Sequence, residues 1–252
     1  MILSWYRQNA SEFGFVRSTR LLLRVVWRRA FVQTCNLLFA KKVECPCCAW
    51  TGNRFLDYIK MGYTVSHTEC PGCGSHSRHR GLLVWLKNEY GIERHCGPAL
   101  VFAPERALSA IWSVNHNLRA VRIDIQSGRG VDLLADIMHL PLISDLAEVI
   151  WCHHVLEQVK DDRLALRELH RVLKLQTGRL ILSAGSGNEY LTREFGEPNK
   201  ELSGSRRAYG GDLIVRLQQA GFVVERMNYG LTDEQLMKYQ VIDEPFYVCL
   251  KG

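Results

Sequence analysis

Two short cysteine motifs constrain this chain more than any other feature of its sequence. They read Cys45-Pro-Cys-Cys48 and Cys70-Pro-Gly-Cys73, and 21 residues separate them. Each CxxC motif forms a tight turn that directs two thiolates toward one cation, and two such turns complete a tetrahedron. A segment of about 40 residues buries too little apolar surface to fold without such a clip. The sequence therefore predicts one zinc ion bound by Cys45, Cys48, Cys70 and Cys73.

Other potential ligands near these motifs fit a zinc site less well. Cys47 could replace Cys48 only with poor turn geometry, and we expect His67, His76 and His79 at the surface of this segment. Four thiolates leave no open coordination position, so the predicted zinc is structural rather than catalytic.

The cysteine count also bears on the cellular compartment. The chain has nine cysteines, and an odd number with a doubled CxxC spacing favours metal binding under reducing conditions over a secreted disulfide scaffold. Arginines interrupt the apolar stretch near the N-terminus, and no run of about 18 uncharged apolar residues occurs. We therefore expect a cytoplasmic protein, with peripheral attachment to the inner face of the membrane as an alternative.

Positive charge is concentrated in the first 42 residues. This segment has a net charge of +7, whereas the rest of the chain has −1. The segment contains four arginines at helical spacing, Arg17, Arg20, Arg24 and Arg28, beside a broad arc of apolar residues. This pattern predicts a helix from Ser18 onward. The apolar arc either packs on the same protein or a second copy, or lies on an anionic membrane with Trp5 and Trp27 at the headgroups. Nucleic acid is a further partner, which the sequence does not favour.

Residues 82–252 alternate short apolar strands with helical segments, which is the pattern of a parallel α/β sheet. The predicted strands are Ala99–Ala103, Leu118–Asp124, Val149–Cys152, Arg179–Ala184, Phe222–Met227 and Pro245–Leu250. One predicted helix begins at Asp161 or Asp162 and is closed by Gly178. A second runs from about Gly211 to Ala220, with Gly221 as its stop. The expected domains are a basic helical arm (1–42), a zinc ribbon (43–81) and an α/β domain (82–252).

The α/β segment contains a characteristic series of motifs. In chain order they are Val101-Phe-Ala-Pro-Glu105, Val121-Arg-Ile-Asp124, Asp132 to Asp136 with His139-Leu-Pro141, Cys152-His-His-Val-Leu-Glu157, Leu164-Ala-Leu-Arg-Glu-Leu-His-Arg-Val-Leu-Lys174, Gly178-Arg-Leu-Ile-Leu182, and Tyr209-Gly-Gly-Asp212 with Ala220-Gly-Phe222. This series resembles class I S-adenosylmethionine-dependent methyltransferases, in particular a bacterial group of unknown substrate with an N-terminal zinc ribbon. The resemblance implies a Rossmann-like sheet, S-adenosylmethionine as cofactor and methyl transfer as the activity.

Candidate cofactor-binding residues follow the predicted strands. Ligands of open parallel sheets bind beyond the carboxyl ends of the strands. Asp124 ends the second strand, where its carboxylate can accept both ribose hydroxyls of an adenosine; a helix-capping or surface aspartate is the alternative. The resemblance implies that Asp136 takes the adenine amino group, and a helix-capping or surface aspartate is the alternative for this residue too. The full predicted set is Phe102, Ala103, Pro104, Glu105, Asp124, Asp136 and Cys152.

The turn after the first strand departs from the family pattern because it has no glycine. Ala103 is small enough for close approach to a ligand, and Pro104 can open a helix whose N–H groups face an anionic carboxylate. Glu105 could face the sulfonium or the amine of the cofactor. The ribbon-bearing group that the sequence resembles has a similar Ala-Pro-Glu turn.

The predicted catalytic residues are His154, His153 and Glu157. The two histidines follow the fourth strand, where methyltransferases often place substrate contacts, and a histidine can remove a proton from an oxygen or nitrogen nucleophile. Glu157 is expected either to hydrogen-bond across the cleft or to orient one of the histidines. The alternative for the histidines is that they only frame the strand end. Residues 189–207 are a polar stretch that suits a substrate lid or an ordinary solvated loop.

The sequence supports two main functions. The first is methyl transfer to an unidentified acceptor, with the zinc ribbon beside the cleft. The alternative is a non-catalytic interaction protein that docks a degenerate methyltransferase fold through its basic arm or ribbon. A nicotinamide-dependent dehydrogenase is disfavoured because no G-x-G-x-x-G motif follows the first strand.

Overall fold

A computed structural model describes residues 2–128, 130–185 and 189–252. The chain divides into two compact units. The first comprises Met1–Gly81 and Leu231–Ile242, and the second comprises Leu82–Gly230 and Asp243–Gly252. Among the described residues, no helix combines the length and the apolar character that crossing a bilayer requires.

The described helices and strands are numbered in chain order. The helices are α1 (Ile2–Phe13), α2 (Phe15–Leu38), α3 (Ser77–Trp85), α4 (Ser109–Val114), α5 (Asp162–Val172), α6 (Leu213–Gln219) and α7 (Asp233–Tyr239). The strands are β1 (Val43–Glu44), β2 (Thr51–Gly52), β3 (Leu56–Ile59), β4 (Thr64–Glu69), β5 (Gly97–Phe102), β6 (Leu118–Asp124), β7 (Leu133–Leu134), β8 (Val149–His153), β9 (Arg179–Ser183), β10 (Arg193–Asn199), β11 (Ser205–Ala208), β12 (Phe222–Met227) and β13 (Phe246–Lys251).

The N-terminal segment of the first unit forms two helices. The chain reverses between α1 and α2 at Gly14, whose φ of 86° is accessible to glycine at little cost. The Tyr6 hydroxyl hydrogen-bonds the Thr19 hydroxyl of α2 at 2.8 Å. The prediction of a helix from Ser18 onward is confirmed for its body, but α2 begins earlier, at Phe15, and α1 was not predicted.

Two small antiparallel hairpins, β1–β2 and β3–β4, carry the cysteine motifs. Between them lies a small core of Val43, Cys45, Phe55 and Cys70. Residues 231–242, which the sequence analysis assigned to the α/β segment, belong to this first unit. Arg80 holds this segment by donating hydrogen bonds to the carbonyl oxygens of Tyr239 (2.6 Å) and Gln240 (2.9 Å).

The second unit is built on a seven-stranded sheet with the order β12-β13-β9-β8-β5-β6-β7. Strands β9, β8, β5, β6 and β7 are parallel, whereas β13 is antiparallel to both of its neighbours. The central strands are almost fully buried, as expected where helices cover both faces of a parallel sheet. This architecture confirms the predicted α/β, Rossmann-like class I methyltransferase fold.

The six predicted strands all exist, and their boundaries differ from the predictions by at most two residues. The helix α5 begins after Asp161, whose carboxylate accepts the N–H groups of Arg163 and Leu164. It ends at Val172 rather than near Gly178, since Leu173 is already extended. The helix α6 ends before Gly221, which has a φ of +97°, as the stop signal predicted.

Candidate functional site

The four predicted zinc ligands lie together. The sulfur atoms of Cys45, Cys48, Cys70 and Cys73 all lie within 4.8 Å of one another. Cys45 Sγ is 3.7 Å from Cys73 Sγ, and Cys48 Sγ is 3.7 Å from Cys70 Sγ. A zinc–sulfur distance of about 2.3 Å implies tetrahedron edges of about 3.8 Å, so these separations fit a tetrathiolate zinc site.

One buried cation lies in the same unit as the thiolates. Arg80 has no exposed surface, and its guanidinium stacks over the Phe55 ring at 4.0 Å. It also donates to the carbonyl oxygens of Thr68 (2.8 Å) and Ser75 (3.0 Å), residues next to the second cysteine motif. Burial lowers the pKa of Arg80, whereas the negative charges of Cys45, Cys47, Cys70 and Cys73 favour its charged form. Because four thiolates around a divalent zinc leave a net negative charge, Arg80 is placed to offset it.

The neighbours of the cysteine motifs differ in part from expectation. Cys47 packs on the small core and is not among the four clustered sulfurs. The prediction that His79 lies at the surface is wrong, because the side chain is buried and its Nδ1 accepts the His76 N–H at 3.0 Å. His67 and His76 are half-buried.

The predicted cofactor residues lie along one edge of the large sheet. Ala103 follows β5, Asp124 ends β6, Asp136 follows β7 by two residues, and His154 follows β8. These four strands are adjacent and parallel, so their carboxyl ends meet at the same edge. The sequence placed these residues on separate strands, and the strand order brings the strand ends together.

The glycine-free turn after β5 has the backbone conformation that glycine usually supplies. Ala103 has a φ of 46° and is exposed, and its N–H donates to the Ile123 carbonyl at 2.9 Å. Phe102 is buried, and Pro104 and Glu105 are half-buried. The helical turn predicted to open at Pro104 begins at Arg106 as a short 3₁₀ turn. The turn therefore exposes a small residue at the carboxyl end of the central strand, as close approach of a ligand requires.

Each of the two predicted carboxylates is held by a hydrogen bond to one of its own two oxygens. Asp124 Oδ1 accepts the Gln126 N–H at 2.9 Å, and Asp136 Oδ1 accepts the Met138 N–H at 2.9 Å. Neither Oδ2 makes a hydrogen bond to another described residue. Each half-buried carboxylate is thus oriented by its own loop and keeps an acceptor for hydroxyl or amino donors. This arrangement fits an adenosyl group, and Asp124 also has the local turn role that was the alternative for it.

His154 and Glu157 form a hydrogen-bonded pair. The distance from His154 Nδ1 to Glu157 Oε1 is 2.8 Å, and the same oxygen accepts the Gly185 N–H at 3.1 Å. Burial alone raises the pKa of Glu157, but the His154 and Gly185 hydrogen bonds bring it below its ordinary value. Glu157 is therefore a carboxylate at neutral pH, so Nδ1 of His154 must carry the proton of this hydrogen bond, and Nε2 is the ring nitrogen that remains.

Exposure distinguishes the two histidines. The His154 side chain is 32% exposed, and its φ of 55° is uncommon for a non-glycine residue. His153 is 3% exposed, hydrogen-bonds Ser183 Oγ through Nδ1 at 2.6 Å, and packs on the Trp151 ring. His154 thus has the geometry of a base, and His153 that of a residue that supports the strand end. Ser183 was not predicted; its only sequence signal is its position at the end of β9.

Cys152 is fully buried in the core beneath this edge. Burial and the nearby Glu157 charge raise the pKa of its thiol. This neutral thiol packs in the core and has no exposed surface for the predicted contact with a cofactor.

The polar stretch at 189–207 contains both strands of the antiparallel hairpin β10–β11, apart from Ala208 at the end of β11. Arg207 is buried and donates to the carbonyl oxygens of Leu156 (2.7 Å) and Val159 (2.8 Å). Its guanidinium therefore anchors the hairpin to the loop before α5. Arg193 and Arg206 remain at the surface or half-buried, and Tyr190 is 83% exposed.

The seven-stranded sheet has the Rossmann-like fold of methyltransferases. Residues 95–182 match the sequence profile of a family described as "Methyltransferase domain". The match spans β5 to β9 and contains all of the predicted cofactor-binding and catalytic residues. Residues 95–182, about a third of the chain, are therefore similar to a methyltransferase domain.

Several solved structures are similar to this chain at low sequence identity. A Burkholderia thailandensis 1,6-didemethyltoxoflavin-N1-methyltransferase, solved with its substrate and S-adenosylhomocysteine, is 12% identical, with a TM-score of 0.50 over 68% of this chain and 78% of that chain. The [4+2]-cyclase SpnF is 19% identical, with a TM-score of 0.49 over 77% and 88%. An S-adenosylmethionine-dependent methyltransferase from Mesorhizobium loti is 15% identical, with a TM-score of 0.47 over 62% and 91%. No functionally curated protein matches this chain.

Proposed function

We propose that this protein transfers a methyl group from S-adenosylmethionine to an acceptor that remains to be identified, with a structural zinc ion in the first unit. The observation that carries the proposal is the set of residues at four adjacent strand ends. An exposed Ala103 in a left-handed turn, two oriented carboxylates and a histidine base lie along that one edge. All of them fall within the segment that matches the methyltransferase profile.

Each residue has a distinct part in this proposal. Asp124 would bind the ribose hydroxyls and Asp136 the adenine amino group through their available oxygens, while Ala103 allows close approach. When bound, S-adenosylmethionine supplies an electrophilic methyl group on a sulfonium, so alignment provides much of the acceleration. His154 Nε2 would accept a proton from an oxygen or nitrogen acceptor, and Glu157 fixes the imidazole orientation. We assign His153 a positioning role.

The zinc ion and the compartment are parts of the same proposal. The sulfur separations and the absence of a fifth clustered ligand among the described residues support a closed structural site. Four reduced ligand thiols also favour a reducing compartment, the cytoplasm.

Titration calorimetry of the full chain with S-adenosylhomocysteine tests the cofactor site. We expect micromolar binding, weakened between about tenfold and a hundredfold in Asp124→Asn, because hydrogen bonds to a charged group contribute about 1.5–3 kcal/mol. Asp145→Asn is the matched control, since Asp145 is exposed and lies on the loop before β8, away from the carboxyl edge. Absence of binding by the folded wild type would contradict the proposal and favour the non-catalytic interaction protein.

A further inference from the structure

The outward side of α2 carries large apolar side chains at the protein surface. Each of the following is more than half exposed: Val16, Leu23, Val26, Trp27, Leu37 and Leu38. The buried residues of the same helix, Ser18, Leu21, Val32 and Cys35, recur at helical spacing on the opposite side. We call the six exposed residues the outer face of α2. Six large apolar side chains exposed on one side of a helix indicate a binding surface, whereas single exposed apolar residues would need no explanation.

Unpaired positive charge borders the outer face. Arg17, Arg20 and Arg24 are exposed and follow one edge of the helix, and none of them forms an ion pair with a described residue. Lys41 and Lys42, just beyond the end of α2, are also exposed. The 42 residues of this segment contain one acidic residue, Glu12.

The other two arginines of α2 show that this charge distribution is specific to the outer side. Arg28 donates to Asp57 at 2.6 Å, and Arg29 donates to Glu69 at 2.7 Å. Both acceptors lie on the β3–β4 hairpin of the same unit. The fold therefore neutralises the arginines on its inner side and leaves the outer row available to an external anion.

We propose that the outer face of α2 binds the surface of an anionic lipid bilayer, with the helix in the plane of the interface. Leucine and valine side chains would enter the boundary of the acyl chains. Trp27, which stacks on Phe31 at 5.9 Å, suits the headgroup level. The bordering arginines would meet lipid phosphates, and this charge complementarity selects the partner.

The charged and apolar residues of this surface disfavour two other partners, a second copy of the chain and nucleic acid. A second copy bound through this face would bring two rows of unpaired arginines together with no acidic residue between them. Nucleic acid would use the arginines but would leave the leucine and valine side chains in water. An anionic bilayer offers acyl chains to the apolar side chains and phosphates to the arginines.

Flotation of the full chain with vesicles tests this proposal. We expect the wild type to float with phosphatidylcholine vesicles that contain phosphatidylglycerol, to float much less with phosphatidylcholine alone, and to be released by salt. The triple variant Arg17→Gln, Arg20→Gln, Arg24→Gln should partition about a hundredfold less, because each basic residue near an anionic surface contributes about fivefold. The double variant Leu23→Gln, Trp27→Gln should lose binding through the apolar contribution.

Matched controls change the same chemistry elsewhere on the surface. Arg119→Gln, Arg163→Gln, Arg167→Gln removes three exposed charges from the second unit, and Leu175→Gln removes an exposed apolar side chain. Both should float like the wild type. Equal flotation of the Arg17/Arg20/Arg24 variant and its control would overturn the proposal, as would no flotation of the wild type. If the wild type stays in solution as a dimer that Leu23→Gln, Trp27→Gln dissociates, the occupant is a second copy and the proposal is wrong.

Discussion

Two residues at the sheet edge have a backbone that their side chains disfavour. Ala103 and His154 both have positive φ values, 46° and 55°, directly after β5 and β8. Each such conformation costs a non-glycine residue about 1 kcal/mol, and each is held by a strand-like hydrogen bond from its N–H, to Ile123 and to Ser183. Strain at two adjacent strand ends is typical of binding and catalytic sites, where the surrounding structure holds a backbone conformation that local preference disfavours.

At the residue scale, the pKa of Glu157 predicts a pH-dependent contribution to stability. Because its folded-state pKa lies below the ordinary value of 4.5, ionised Glu157 stabilises the fold above that pH, and this contribution is lost as the pH falls below it. We expect Glu157→Gln to lower the free energy of unfolding by about 1–2 kcal/mol at pH 7. The difference from wild type should shrink as the pH falls below about 4.5.

Urea unfolding at a series of pH values measures this effect. Glu201→Gln is the control, because Glu201 is exposed and its side chain makes no hydrogen bond to a described residue. A difference between Glu157→Gln and wild type that stays constant with pH would show that the charge of Glu157 does not contribute.

At the scale of elements, the two hairpins of the first unit depend on the turns that carry the cysteines. The strands β1 and β2 have two residues each, so their pairing alone cannot hold the turn. The chain instead closes locally through the Cys45 N–H to the Trp50 carbonyl (2.8 Å) and the Cys70 N–H to the Ser75 carbonyl (2.8 Å). These bonds orient the sulfurs, and the metal would supply the remaining stability.

Neighbouring cysteines allow a matched test of the zinc site. We expect native mass spectrometry to show one zinc ion in the wild type and in Cys47→Ser, and little or none in Cys48→Ser, because Cys48 belongs to the sulfur cluster and Cys47 does not. Hydrogen exchange of β1–β4 should rise in Cys48→Ser only. Loss of zinc from Cys47→Ser would mean that the ligand set is wrong.

At the scale of the whole molecule, the chain returns to its N-terminal unit near its end. Arg80 connects Thr68 and Ser75 with Tyr239 and Gln240, which are about 160 positions later, through four hydrogen bonds to carbonyl oxygens. The Ile242 N–H also donates to Ser77 Oγ at 2.8 Å. The first unit is therefore discontinuous in sequence, and its stability depends on both ends of the chain.

Replacement of Arg80 tests this long-range connection. Arg80→Met keeps much of the side-chain volume but leaves four carbonyl oxygens without their donor, so we expect a loss of about 3 kcal/mol in the stability of the first unit. Zinc release during urea unfolding reports on this unit, and release should occur at lower urea. Arg163→Met, at an exposed position of α5, should leave the transition unchanged. An unchanged transition in Arg80→Met would show that residues 231–242 are held in another way.

The sequence alone determined the features that local chemistry specifies. Paired CxxC motifs specify four converging thiolates, apolar runs specify strands, and Asp161 and Gly221 specify helix boundaries, because each signal acts over a few neighbouring residues. The sequence did not predict that Arg207 is buried and donates to the carbonyl oxygens of Leu156 and Val159, because these partners lie about 50 positions earlier in the chain. The same holds for His79, which is buried although its sequence context is polar.

Only the tertiary structure decided which residues meet across distant segments. Strand order brought the ends of β5, β6, β7 and β8 to one edge of the sheet. Packing left the His154 side chain partly exposed and buried that of His153. Packing also placed residues 231–242 in the first unit and turned one side of α2 outward. These outcomes depend on contacts between residues far apart in the chain, and a sequence pattern with a period of two or four residues does not specify them.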